Sequence, residues 1–178
     1  MLNRNFKTIM LGWLMSSLGT YTSTPRFSPQ TIYNVDGEEG NYPTTSNTDA
    51  EYLTKAIINS LNSPTANNVI ARQSQNRLFM AVGTGTTEAT AEDYSLESEN
   101  TEITCEAITQ TYTPSYKRQI TATFNNPTAQ NINLKEVGLF CEAQATTTNR
   151  INTIMLAREN IDVTIPAGES KAITMEIG

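Results

Sequence analysis

The chain has 178 residues, 38% of them hydrophobic and 17% charged, with a formal net charge of -6 and no histidine. That size fits one domain carrying an appended arm, and the composition excludes a coiled coil, a collagen-like rod and a multi-span membrane protein. The acidic balance argues against nucleic acid or anionic lipid as the main partner, and the missing histidine removes the commonest general base and metal ligand.

Phe6, Ile9, Met10, Trp13 and Leu14 recur at helical spacing in the first segment. Gly12 weakens such a helix and Gly19 ends it. The run from Ile9 to Leu18 is shorter than the roughly 20 apolar residues that span a bilayer. Residues 1–19 are therefore expected to form an amphipathic arm, with Phe6, Met10, Trp13 and Leu14 as assembly contacts. Arg4 and Lys7 ahead of the apolar run, with Ser17-Leu18-Gly19 after it, leave a signal peptide or a membrane-surface helix as alternatives.

Residues 20–47 are rich in Thr, Ser, Pro, Asn and Gly and are expected to form an extended linker. Within them Thr31 to Val35 can make one short strand, and Asp36-Gly37 signals a turn. Thr48-Asp49-Ala50-Glu51 is a capping box, and Ala50, Leu53, Ile57, Ile58 and Leu61 follow at helical spacing. This predicts a short helix over about 49–62, leading a main domain over 48–178.

After Pro64 the apolar period changes to two. Strands are expected at Val69 to Ala71, Leu78 to Val82, around Ile103 to Ala107, near Tyr112, at Ile120 to Phe124 and at Glu136 to Cys141. Ile151 to Ala157, Val163 to Ile165 and Ala172 to Ile177 complete the series. Turns are expected at Asn125-Asn126-Pro127 and at Pro166-Ala167-Gly168-Glu169. With no helical crossovers between the later strands, the fold class is mainly β, an antiparallel β-sandwich of Ig-like or jelly-roll-like type. Val137, Leu139 and Cys141 should face its core, with the opposite face of that strand meeting solvent or a partner.

Few residues invite chemistry. Gly83-Thr84-Gly85 begins like a dinucleotide fingerprint, but it lacks the third glycine and a following helix pattern, and no phosphate-loop lysine follows it. Its glycines are expected to serve a tight turn or a positive φ. Glu88, Glu92, Asp93, Glu97, Glu99, Glu102 and Glu106 form an acidic stretch without a basic residue and without calcium-loop spacing. A solvated loop is expected there. No Gly-x-Ser-x-Gly or Ser-x-x-Lys motif occurs, and the single Trp offers little platform for sugars. Cys105 and Cys141 are expected as small buried hydrophobes, with one disulfide between neighbouring strands as the alternative. Neither an enzymatic activity nor a cofactor nor a metal is expected.

One pattern is recognisable as a whole. Glu136-Val137-Gly138-Leu139-Phe140 is followed by Met155-Leu156-Ala157-Arg158 and then by Ile165-Pro166-Ala167-Gly168-Glu169-Ser170. Upstream stand Val82-Gly83-Thr84-Gly85, Asp93-Tyr94 and Leu96. In this order they resemble small β-sandwich structural proteins of tailed-bacteriophage virions, over Leu78 to Gly178 and, weakly, over the first twenty residues at Asn5-Phe6-Lys7 and Leu11-Gly12. The resemblance implies a non-enzymatic virion protein, assembled in the host cytoplasm, whose partners are copies of itself and other virion proteins. Its place would be a neck or tail ring, a head-fibre base or a capsid decoration. The competing expectation is a secreted or surface bacterial β-sandwich adhesin or carbohydrate-binding module with residues 1–19 as its signal peptide.

Overall fold

The computed structural model describes residues 30–42, 77–112, 118–144 and 151–177. The arm over 1–19, the helix over 49–62 and the strand at 69–71 lie outside the described residues.

The described chain is mainly β. The strands are β1 (Gln30–Tyr33), β2 (Glu39–Tyr42), β3 (Arg77–Gly83), β4 (Thr104–Tyr112), β5 (Arg118–Asn125), β6 (Ile132–Gln144), β7 (Ile151–Ile165) and β8 (Ser170–Ile177). They form two antiparallel three-stranded sheets, ordered β3-β6-β7 and β4-β5-β8, and one hairpin, β1-β2. The observed strands are longer and fewer than the apolar pattern indicates. Ile103 to Ala107 and Tyr112 fall on or beside β4, and the segments ending at Ala157 and starting at Val163 are both part of β7. Between them the β6–β7 register shifts at Leu134/Glu136, opposite Val163 and Asn160, and it shifts again at Leu139/Phe140, opposite Ala157 and Met155 at the end of the first run. The interrupted alternation in the sequence records those irregularities rather than a strand end.

The two sheets share one core. Leu78, Met80, Val82, Val137, Leu139 and Cys141 from the first sheet join Ile108, Ile120, Ala122, Phe124, Ile173 and Met175 from the second. In β5 burial alternates residue by residue, placing Ile120, Ala122 and Phe124 inward and Thr121 and Thr123 outward. Strand β6 departs from that rule. Glu136, Gly138 and Phe140 are buried as fully as Val137 and Leu139, so both faces are covered and the expected exposed face is not found.

The cover is the segment from Thr84 to Ile103, which crosses back after β3. Its Leu96 is buried above Gly138, where an added Cβ would meet Leu96 and the Phe140 ring. Phe140 in turn stacks on Phe79 with ring centroids 5.1 Å apart. The β1–β2 hairpin docks beside this segment. Val35 N donates to Thr153 O of β7 at 3.0 Å, and the rings of Tyr33 and Tyr94 lie 6.0 Å apart. The Asp36-Gly37 signal is a real turn, with Gly37 at φ 76. Its second strand, Glu39–Tyr42, is too short and too polar to announce itself within the expected linker.

At the opposite end the chain is tied by Asn126. Its side-chain amide donates to the carbonyls of Gln130, Ile165 and Pro166, and its oxygen accepts from Thr128 N and Oγ1. The turn after β5 is thereby fixed to the turn before β8, which carries Gly168 at φ 71.

Candidate functional site

The most elaborate polar structure among the described residues is a charge cluster between the first sheet and its covering segment. Glu136 of β6 and Arg158 of β7 begin it. Gly138 is paired with Arg158 and Glu136 with Asn160, so the two charged residues are diagonal neighbours on antiparallel strands. Long side chains at that offset reach each other on the outer face. Arg158 Nε donates to Glu136 Oε2 at 2.8 Å.

Neither group meets water to any extent, since Glu136 is 0% and Arg158 3% exposed. Burial of an ion pair is costly unless its remaining lone pairs and protons are satisfied. Here they are satisfied by the covering segment. Glu136 Oε1 accepts from Gly85 N at 3.1 Å and Ser98 N at 2.8 Å, and Oε2 also accepts from Glu97 N at 3.0 Å. Each carboxylate oxygen therefore takes two hydrogen bonds. Arg158 Nη1 donates to Asp93 at 2.8 Å, and Nη2 donates to Thr87 O at 3.2 Å and faces Glu97 at 3.9 Å. Asn160, one step along β7, donates to Thr87 O and accepts from Ala89 N.

The electrostatics follow from this packing. Burial pushes the Asp93 carboxyl up, but hydrogen bonds from Thr90 and Arg158 outweigh it and hold the group below its ordinary value. Glu97 is held low first by the Thr87 backbone N–H and then by the Thr87 hydroxyl. Burial pulls the Arg158 guanidinium down, while its bonds to Asp93 and Glu136 more than restore it, leaving it raised.

The glycines of Gly83-Thr84-Gly85 take their meaning from the same cluster. Neither has a positive φ, so the expected backbone role is corrected. Gly83 sits across from Glu136 in the β3–β6 register, and a Cβ there would strike the Glu136 carboxylate and the Ser98 carbonyl. At Gly85 a Cβ would strike Glu97 and Glu136. These positions are glycine because the carboxylate lies against the backbone. The acidic stretch is likewise not simply a solvated loop. Asp93 and Glu97 turn inward to an arginine supplied from 60 and more residues later in the chain.

Chemically this cluster is closed. No Glu136 lone pair is directed to solvent for proton transfer, and the guanidinium is enclosed by three carboxylates and a carbonyl. Among the described residues no group of three or more His, Cys, Asp or Glu is arranged to hold a metal ion. Cys105 and Cys141 form no disulfide with each other and lie on strands of different sheets. Burial pushes the Cys105 thiol up, against the usual requirement of a reactive cysteine. Phe6, Met10, Trp13 and Leu14, the expected assembly contacts, lie outside the described residues.

The cluster as a unit is not evident from sequence: Gly83, Gly85, Asp93, Glu136 and Arg158 fall in the motifs quoted for the resemblance, whereas Thr87, Glu97, Ser98 and Asn160 do not. The available signal is a charge embedded in each of two apolar strands, Glu136 before Val137 and Arg158 after Met155-Leu156-Ala157. Charges at such positions are buried only when paired. No protein-family model, no curated protein and no solved structure matches this chain.

Proposed function

We propose that this chain is a non-enzymatic structural protein of a tailed-bacteriophage virion, with a β-sandwich body of Ig-like or jelly-roll-like type, acting through protein–protein assembly contacts. Its partners are copies of itself and other virion proteins, and its place is a neck or tail ring, a head-fibre base or a capsid decoration. One observation carries the proposal. Gly85, Asp93, Glu136 and Arg158, each from one of the motifs that resemble virion β-sandwich proteins, meet in a single closed cluster, in which Arg158 and Glu136 bind the covering segment to the sheet. Their polar groups are committed to holding a rigid body together rather than directed toward a substrate. A rigid body with an appended N-terminal segment is the form a repeated subunit takes when neighbours are joined by arms and faces.

The test has two parts. Mass spectrometry of purified phage particles should find the chain with residues 1–19 still present. The native mass of the full chain should also exceed that of a chain starting at Thr20 by a whole multiple. Recovery from culture medium as a species that has lost about 19 N-terminal residues would instead establish the secreted adhesin.

A further inference from the structure

We propose that the outward face of the β4-β5-β8 sheet is a contact surface between copies of this chain. This rests on the assembly role proposed above and specifies which sheet face serves it. Two rows run across all three strands at its centre: Ala107–Thr123–Ala172 and Thr109–Thr121–Thr174. The β4 and β8 members are exposed and the β5 members half-buried. Strand β5 keeps unbroken register with β8 from Arg118 to Asn125, so the rows lie on a regular pleated surface.

The two sheets differ in what lies over them. The outer face of β3-β6-β7 is covered by the Thr84 to Ile103 segment, whereas the described chain places nothing over the two central rows of β4-β5-β8. The sheet edges are less inviting than this face. Beside β3 the segment returns through Thr84 N to Ser98 O and Asn100 N to Val82 O. The edge of β7 is met by Val35 at Thr153 and by Thr87 and Ala89 at Asn160. Strand β4 is shifted between Cys105 and Ala107, and Lys171 of β8 reaches Thr164 O at 3.5 Å. Bulges and edge lysines oppose strand addition.

The chemistry of the face selects its occupant. None of the six residues carries a charge, in a chain of net charge -6. The Thr121 and Thr174 hydroxyls bond each other at 2.8 Å, turning their polarity sideways within the sheet and leaving methyl groups to meet a partner. Glu106 and Glu176 lie beyond the two rows, toward opposite ends. A highly charged partner would lose hydration here without compensation. A second copy of the same face brings small alanine and threonine side chains, and no charge, to the centre. The extent of the face also fits a repeated contact. Eight residues at about 3.4 Å and three strands about 4.8 Å apart cover roughly 400 Å². Two such faces stay below the ~1,200 Å² of a stable isolated pair, so the contact becomes firm only when multiplied around a ring or shell.

Sedimentation equilibrium of the full chain over a concentration series tests this, with Ala172→Glu, Thr109→Glu and Ala129→Glu beside the native protein. Ala129 is exposed and away from the face. The native chain and Ala129→Glu should associate as concentration rises. The two face variants should weaken association by about 100-fold through like-charge contact, with unchanged thermal midpoints. Mixing Ala172→Glu with Ala172→Lys should restore it. Face variants that associate like the native chain overturn the proposal. A native chain that stays monomeric throughout also overturns it, all the more if the variants melt early because the chain's own segments cover the face. Loss of association only on starting at Thr20 moves the contact to the N-terminal segment and leaves the virion role standing. Absence of the chain from purified particles removes that role without altering the self-association result.

Discussion

Replacing Glu136 by Gln keeps the shape of the side chain and removes its charge, and the structure sets the consequence. Glu136 accepts four hydrogen bonds: three from backbone amides of the covering segment and one from Arg158. A glutamine has one accepting oxygen, and its amide nitrogen would confront two of those four donors. The guanidinium also loses its fully buried counter-ion while remaining 3% exposed. Breaking one side of a buried, hydrogen-bonded pair costs about 3–5 kcal/mol. That is a large part of the roughly 5–15 kcal/mol that holds a domain folded. Arg158→Met should cost a similar amount, because it strands Glu136. In many proteins an apolar replacement of the whole pair recovers the loss. Here Glu136→Leu with Arg158→Met should not, because Gly85, Glu97 and Ser98 would keep buried N–H groups without acceptors, at about 1–3 kcal/mol each. Urea unfolding gives the free energies, and hydrogen exchange gives the location. Amides of Gly85, Glu97 and Ser98 should lose protection in every variant, while those of β5 should follow global stability. A Glu136→Gln protein within about 1 kcal/mol of the native one, with those amides still protected, would refute the role of Glu136 in holding the covering segment to the sheet.

Other outcomes follow from the same geometry. Gly83→Ala should destabilise by about 3 kcal/mol or more in urea unfolding, because its neighbours are a buried carboxylate and a backbone carbonyl that cannot yield. Gly168→Ala should cost only about 1 kcal/mol in the same assay, since φ is 71 but nothing lies within 4 Å of an added Cβ. Asn126→Ala should cost about 2–3 kcal/mol, as three carbonyls lose one donor at a fully buried site. Asp93 and Glu97 are held below their ordinary values, so their contribution is complete above the unfolded values near about pH 4 and is lost as pH falls through the lower folded values. Urea midpoints between pH 7 and pH 3 should therefore fall less steeply in Arg158→Met, which removes the arginine's share of the Asp93 shift while Thr90 still bonds Asp93 and Thr87 still holds Glu97 low; parallel profiles would contradict this.

What was legible in the sequence was whatever repeats along a strand. Alternation places Leu78 to Val82, Ile120 to Phe124 and Ala172 to Ile177 on strands, and the Pro166 to Glu169 turn is present as expected. What was not legible depends on distance across the fold. Nothing local tells Glu136 that its partners are Gly85, Glu97, Ser98 and Arg158, separated from it by 51, 39, 38 and 22 positions. The same limit hid the cover over β6. A face carrying Glu136, Gly138 and Phe140 looks half polar and open, until Leu96 and the backbone of the covering segment occupy it. The bulges in β7 split one strand into two apolar runs, because an inserted residue resets a period of two.

The cluster and the face that the described residues leave uncovered are two consequences of one asymmetry. Both sheets have an inner face in the common core, and they differ in what their outer faces require. The first sheet offers a buried charge pair and glycines, which only a backbone rich in N–H donors can satisfy, and the segment after β3 brings those donors at Gly85, Glu97 and Ser98. Such a cover is part of folding, since Glu136 and Arg158 cannot remain buried without it. The second sheet offers threonine and alanine, with the Thr121 and Thr174 hydroxyls paired across its strands, a face that tolerates water and needs no cover for the domain to fold. A surface of that kind can be occupied later without being required earlier. The self-contact proposed for the second sheet requires this separation: a body that is complete before a neighbour arrives, and a neutral face whose burial waits for it.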